Sequence, residues 1–97
     1  MILLKSRDDI ERMRMASGIV AEILSELRTY VRPGVTTGEL DGLAEELTSR
    51  KGARPAFKGY VVGGRVFPAS ICISINDEVV HGVPSGRRAL RSGDIVG

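Results

Sequence analysis

The sequence predicts an α+β unit: two amphipathic helices followed by antiparallel strands. Three observations carry this expectation. Apolar residues recur at spacings of three and four from Ile10 to Val31, and again from Leu40 to Leu47. Isoleucines then alternate with Cys72 and Ser74 from Ile71 to Ile75. A chain of 97 residues makes one domain at most, and one of this size buries only about 60–65% of its unfolded surface.

The first helix is announced by Ser6 and Asp9, which have capping-box spacing with Asp where Glu or Gln is usual. Ile10, Met13, Ser17, Val20, Leu24, Leu27 and Val31 then form one stripe, widened by Ile23. Glu11, Arg12, Glu22, Glu26 and Arg28 occupy the other face, so the helix should run roughly six turns. Met13 and Met15 read as core packing rather than as a soft binding groove. Pro33-Gly34 closes the helix, and Thr36 with Glu39 caps a second one. Leu40, Leu43, Ala44 and Leu47 give that helix its apolar face, and Gly52 is placed to end it. Glu45-Glu46 is not a catalytic pair, because adjacent helical residues point in different directions.

Residues 53–70 have no regular period. Pro55, Gly59, Gly63, Gly64 and Pro68 interrupt them, and three of the four aromatics, Phe57, Tyr60 and Phe67, fall here. No spacing matches a phosphate-binding or dinucleotide loop. The rings either wall a pocket or anchor a long connection to the core. After the isoleucine strand, Asn76-Asp77-Glu78 reads as a turn, and Val79-Val80 begins a return strand that ends at His81-Gly82-Val83-Pro84. Ser85 to Gly93 is a polar connection, and Asp94-Ile95-Val96 starts another strand.

Fourteen basic against twelve acidic residues give a net charge of +2, too little to argue for nucleic-acid binding. Arg87, Arg88 and Arg91 form a loose group that reads as a solvated turn. A single cysteine, Cys72, excludes an internal disulfide framework and fits a reducing compartment. Met1 to Leu4 is too short for a signal peptide and no run approaches a membrane span, so a cytoplasmic location is expected.

Chemistry has few candidates. One histidine, one cysteine and carboxylates on helix surfaces do not make a metal-ligand cluster. Cys72 lies within an isoleucine strand, where a lone cysteine is usually inert filling rather than the partner of a catalytic histidine. His81, at a strand end before Gly82 and Pro84, could handle a proton or hydrogen-bond a reacting group. On the residues alone, a hydrogen-bonded strand-end histidine is the simpler reading.

Several ordered motifs carry a resemblance. They are Lys5-Ser6, Ile10-Glu11-Arg12-Met13-Arg14, Val31-Arg32-Pro33-Gly34-Val35-Thr36-Thr37 and Glu39-Leu40-Asp41. Phe57-Lys58-Gly59-Tyr60, Phe67-Pro68-Ala69-Ser70 and Cys72-Ile73-Ser74-Ile75-Asn76 follow. Glu78-Val79-Val80-His81-Gly82-Val83-Pro84 and Gly93-Asp94-Ile95-Val96 complete the series. Together they resemble the first part of type I methionine aminopeptidases. The resemblance implies residues 1–97 as a single partial domain, the first half of a pita-bread fold. It implies removal of the initiator methionine from nascent proteins by dinuclear-metal hydrolysis. It makes His81 the catalytic residue that hydrogen-bonds the scissile amide, and it places Phe57, Tyr60, Phe67 and Cys72 with His81 in substrate binding. Rings and a thiol suit a thioether side chain, since soft sulfur packs well on both.

The same resemblance implies two divalent ions, of the cobalt, manganese, iron or zinc class, in the parent enzyme. The family's ligands (two Asp, one His, two Glu) would all fall after Gly97, so no residue here is assigned as a ligand and the chain alone is expected to be inactive. The link from Val61 to Val66 is longer than the family's usual one, which affects the placement of Tyr60. Implied partners are peptides with N-terminal methionine, with no membrane and no specific nucleic acid. The alternative is a non-catalytic binding or regulatory module that self-associates, or that pairs with a partner chain supplying the missing half.

Overall fold

The computed structural model describes residues 1–97, apart from the side chain of Val62. Helix α1 spans Arg7–Arg28 and α2 spans Thr37–Arg50. A two-stranded antiparallel hairpin follows, β1 (Val61–Val62) with β2 (Arg65–Val66). Beyond it the chain is extended and paired only over one or two residues at a time.

Both predicted capping boxes form. The Asp9 N–H donates to Ser6 Oγ at 3.1 Å and the Ser6 N–H to Asp9 Oδ2 at 3.0 Å. Asp therefore closes the box despite being one methylene shorter than Glu. Thr36 and Glu39 repeat the arrangement at 3.1 and 2.9 Å. Gly52, at φ +69°, ends α2 as expected.

The apolar stripe of α1 is only partly covered. Ile23 and Leu27 are buried, with Ile19 packed beside them. Met13 is 54% exposed and Leu24 60%, and Ile10 and Val20 are exposed as well. Thus Met13 is not a core residue, and neither is the exposed Met15. The buried line Ile19–Ile23–Leu27 lies about a quarter turn around the helix from the centre of the predicted stripe, because the apolar arc is wide and only one edge of it meets α2. Val31 lies beyond the helix, which ends at Arg28 with Thr29 as its cap.

Helix α2 is better enclosed. Leu40 (4% exposed), Ala44 and Leu47 face the core with Ile73, Ile75 and Leu90. The alternation seen in sequence is real: Ile73 and Ile75 are buried and Ile71 is partly covered. Residues 73–76 pair antiparallel with 95–97, through reciprocal Ser74–Gly97 hydrogen bonds of 2.8 Å and Asn76 N to Ile95 O at 2.9 Å. The return segment 79–84 touches the isoleucine strand at a single backbone bond, Ile73 N to Gly82 O at 2.9 Å, instead of forming a ladder. A third pairing brings residues 34–37 against 88–90, with Gly34 N to Leu90 O and Leu90 N to Val35 O both at 2.8 Å.

Residues 53–70 hold the hairpin that the sequence reading treated as aperiodic. Gly63 (φ +57°) and Gly64 (φ +77°) form a two-residue turn of the mirror-image kind that matches strand twist. The Val-Val-Gly-Gly-Arg-Val segment is therefore a hairpin and not an adaptable loop. Among the described residues, no helix is long and apolar enough to cross a membrane.

Candidate functional site

His81 stands where three extended segments meet. Its neighbour Gly82 is held twice: its carbonyl accepts from Ile73 N, and its N–H donates to the buried Ser74 Oγ at 3.1 Å. This clamp fixes the backbone on one side of His81. The histidine itself adopts φ +62°, a left-handed conformation that few non-glycine residues take. Its imidazole is exposed, so the strain does not serve core packing. Backbone strain persists where the surroundings over-determine it, most often at functional positions. Replacing His81 by glycine should therefore relieve strain. His81→Gly should be about 1 kcal/mol more stable than His81→Ala, read from urea midpoints, and equal midpoints would contradict the strain.

A cavity of about 510 Å³ opens beside it. Phe57, Cys72 and His81 line this cavity, joined by Ser74, Val79 and Ile95. Of the five site residues predicted from sequence, these three come together. Phe67 stands behind the lining and meets Phe57 edge to face, with ring centroids 6.3 Å apart at 81°. Tyr60 is exposed at the foot of the hairpin, outside the lining. Cys72 is half-buried, at the cavity wall and not in the core.

The sequence reading missed three supports. Asp41 reaches from α2 to accept from the Ser70 and Ile71 N–H groups at 2.8 and 3.0 Å, fixing the loop that carries the rings to Cys72. Asn76, at φ +56°, donates from Nδ2 to Asp94 Oδ1 and accepts from Ile95 N, both at 3.0 Å. Glu78 accepts from Ile75 N at 3.0 Å and pairs with Arg88 at 2.6 Å. The Asn76-Asp77-Glu78 tripeptide signalled a turn, but not that its side chains reach residues 88–95.

These hydrogen bonds also set the local electrostatics. The Ile75 N–H, with the Arg88 guanidinium, holds the Glu78 carboxyl below the usual range against opposing desolvation. The Asn76 amide, then the Arg91 N–H, does the same for Asp94. Carboxyls that titrate lower in the folded chain add stability above their unfolded pKa, and that stability is lost as pH falls through the folded value. Glu78→Gln removes one such group. Its urea midpoint should therefore fall less steeply on acidification through the carboxylate range than that of the parent chain, whereas parallel curves would exclude Glu78.

Among the described residues, no three of His, Cys, Asp and Glu converge. Near His81, Glu78 is committed to Ile75 and Arg88.

The sequence pattern of metallopeptidase family M24 matches residues 11–97, and the chain belongs to that family. Within it, the chain is similar to methionine aminopeptidases. It is 53% identical over 96 residues to the methionine aminopeptidase of Clostridium acetobutylicum, covering 99% of this chain and 37% of that one. It is 45% identical over 96 residues to methionine aminopeptidase 1 of Bacillus subtilis, with coverages of 99% and 37%. The crystal structure of methionine aminopeptidase from Thermotoga maritima superimposes with a TM-score of 0.90 at 38% identity, covering 99% of this chain and 37% of that one. The chain thus spans a little over a third of the length of these relatives, and its fold is the N-terminal portion of their pita-bread architecture.

Proposed function

We propose that residues 1–97 form the substrate-side wall of a cytoplasmic methionine aminopeptidase. The observation that carries this reading is the convergence of Phe57, Cys72 and the strained His81 on one cavity. In this reading the cavity receives the methionine side chain of a peptide's first residue. Phe57 and Cys72 contact the thioether, Phe67 braces Phe57, and Tyr60 borders the pocket from the foot of the hairpin. His81 hydrogen-bonds the scissile amide, where an imidazole can stabilise charge developing in the transition state. The divalent ions of the complete enzyme would be held by residues outside this chain, so the chain alone binds peptide without hydrolysing it.

Titration of the 97-residue chain with the peptide Met-Ala-Ser tests both halves of this reading. Saturable shifts at Phe57, Cys72 and His81, absent with Ala-Ala-Ser, are expected. Equal shifts with both peptides would remove the methionine pocket. Release of methionine in the presence of cobalt or manganese ions would overturn the inactivity of the chain alone.

A second reading is favoured by the uncovered stripe of α1. Ile10, Met13, Val20 and Leu24 leave apolar side chains exposed along one face of α1, of the kind that pairs with another chain. As a non-catalytic module, the protein would self-associate or bind a complementary half. Sedimentation at several concentrations separates the readings, since a monomer throughout excludes self-association.

A further inference from the structure

A second cavity, of about 380 Å³, is built on the turn after Ser85 and shares only Asn76 with the cavity beside His81. Arg87, Arg88 and Arg91 all line it. Their sequence suggests only a solvated turn, but the fold brings all three to one concavity. Two carboxylates, Asp94 and Glu78, offset part of their charge, leaving an excess of one positive charge over the three arginines. Asp94, also in the lining, has both oxygens engaged, Oδ1 by Asn76 Nδ2 at 3.0 Å and Oδ2 by Arg91 N at 2.8 Å. Glu78 pairs with Arg88 and so anchors that guanidinium at the cavity edge. Among the described residues, no carboxylate forms an ion pair with Arg87 or Arg91.

The loop backbone is tied down as well. Arg87 N donates to Ser85 Oγ at 3.1 Å, Arg88 N to Ser85 O at 3.3 Å, and Ser85 N to Thr37 Oγ1 at 2.8 Å. Thr37 itself is only 1% exposed. The arginines therefore project from a frame locked to α2, not from a free loop. Arginines lining one concavity offer forked N–H groups that a multivalent oxyanion can accept.

We propose that this cavity is a phosphate-binding site, with Arg87 and Arg91 as the principal donors and the anchored Arg88 as a third. Its ligand is a phosphate group, carried either by a small phosphate ester or by a polynucleotide backbone. Its volume, within the range of small-molecule pockets, leaves room for the rest of a phosphorylated molecule. The net charge of the whole chain does not suggest such a site; the local arrangement does.

The test is titration of the 97-residue chain with inorganic phosphate, followed by backbone amide shifts against chloride at matched ionic strength. Saturable shifts at Asn76, Arg87 to Arg91 and Asp94 are expected with phosphate only. R87Q/R91Q should weaken binding about tenfold, and R87K/R91K by less, because lysine keeps the charge but not the fork. All four substituted side chains are exposed, and unchanged amide positions elsewhere will report intact folding. R12Q/R14Q, which removes the same charge from α1, should leave binding unaltered. The absence of saturation would overturn the proposal, as would equal weakening by the two glutamine pairs. Parallel titrations with a nucleoside monophosphate and a single-stranded RNA oligonucleotide distinguish the sources. Tighter, steeply salt-dependent binding of the oligonucleotide, lost in R87Q/R91Q, assigns a polynucleotide. Equal binding of the monophosphate assigns a small ester.

Discussion

Gly82→Ala should destabilise the chain by about 3 kcal/mol or more. A Cβ built on Gly82 would lie 1.9 Å from the Ile73 carbonyl oxygen, 2.7 Å from its carbon and 2.9 Å from Ser74 Cα. All three are backbone atoms of the core strand, so no rotamer change relieves the overlap. The residue cannot move away either, because its carbonyl and N–H are bound to Ile73 N and Ser74 Oγ. The substitution must break that clamp, and His81 moves with it. Domains of this kind are stable by roughly 5–15 kcal/mol in total, so the urea midpoint should fall sharply and the amide signals of Ile73 to Ile75 should shift. A change below about 1 kcal/mol would show that the approach is looser than described.

Gly38→Ala should cost about 2 kcal/mol for a related reason. Its Cβ would fall 2.7 Å from Gly86 N and 2.9 Å from the Ser85 carbonyl carbon. Here the first turn of α2 docks on the turn that follows His81, through Gly38 N to Ser85 O at 3.0 Å and the buried Thr37 hydroxyl. Gly42, one turn further along the same helix, has open space around it. Gly42→Ala should therefore stabilise by roughly 0.5–1 kcal/mol through helix propensity. Opposite signs for two Gly→Ala changes in one helix, measured by urea unfolding, are the diagnostic result. A loss at both positions would point to α2 itself rather than to its docking.

Features set by neighbouring residues were legible in the sequence, and those set across the chain were not. Helix starts, both capping boxes and the Gly52 terminus were legible because they depend on residues three or four apart, whereas α1 stops at Arg28, short of the Val31 end of its apolar stripe. The buried edge of α1 was not, since an apolar arc wider than its covering partner says nothing about which edge is met. The Gly63-Gly64 hairpin carried a recognisable signal in a Gly-Gly pair between Val61-Val62 and Arg65-Val66, but the surrounding aromatics and prolines obscured it. Three of the five predicted site residues do share a cavity. Their supports, Asp41, Asn76 and Glu78, hold residues well separated in sequence, as when Asp41 receives the N–H groups of Ser70 and Ile71. Nothing local marks a carboxylate for that task.

The pairing of Gly34 and Val35 with Leu90 has a consequence for how the protein is made. The connection between the helices is fastened to a segment more than fifty residues later, so closing that loop carries an entropic cost before any reward. During synthesis α1 and α2 can form early as local helices, but Leu90 must leave the ribosome before the core that holds Leu40, Ala44 and Leu47 can close. Until then the emerging polypeptide displays the apolar faces of both helices, and holding chaperones have their opportunity in that interval.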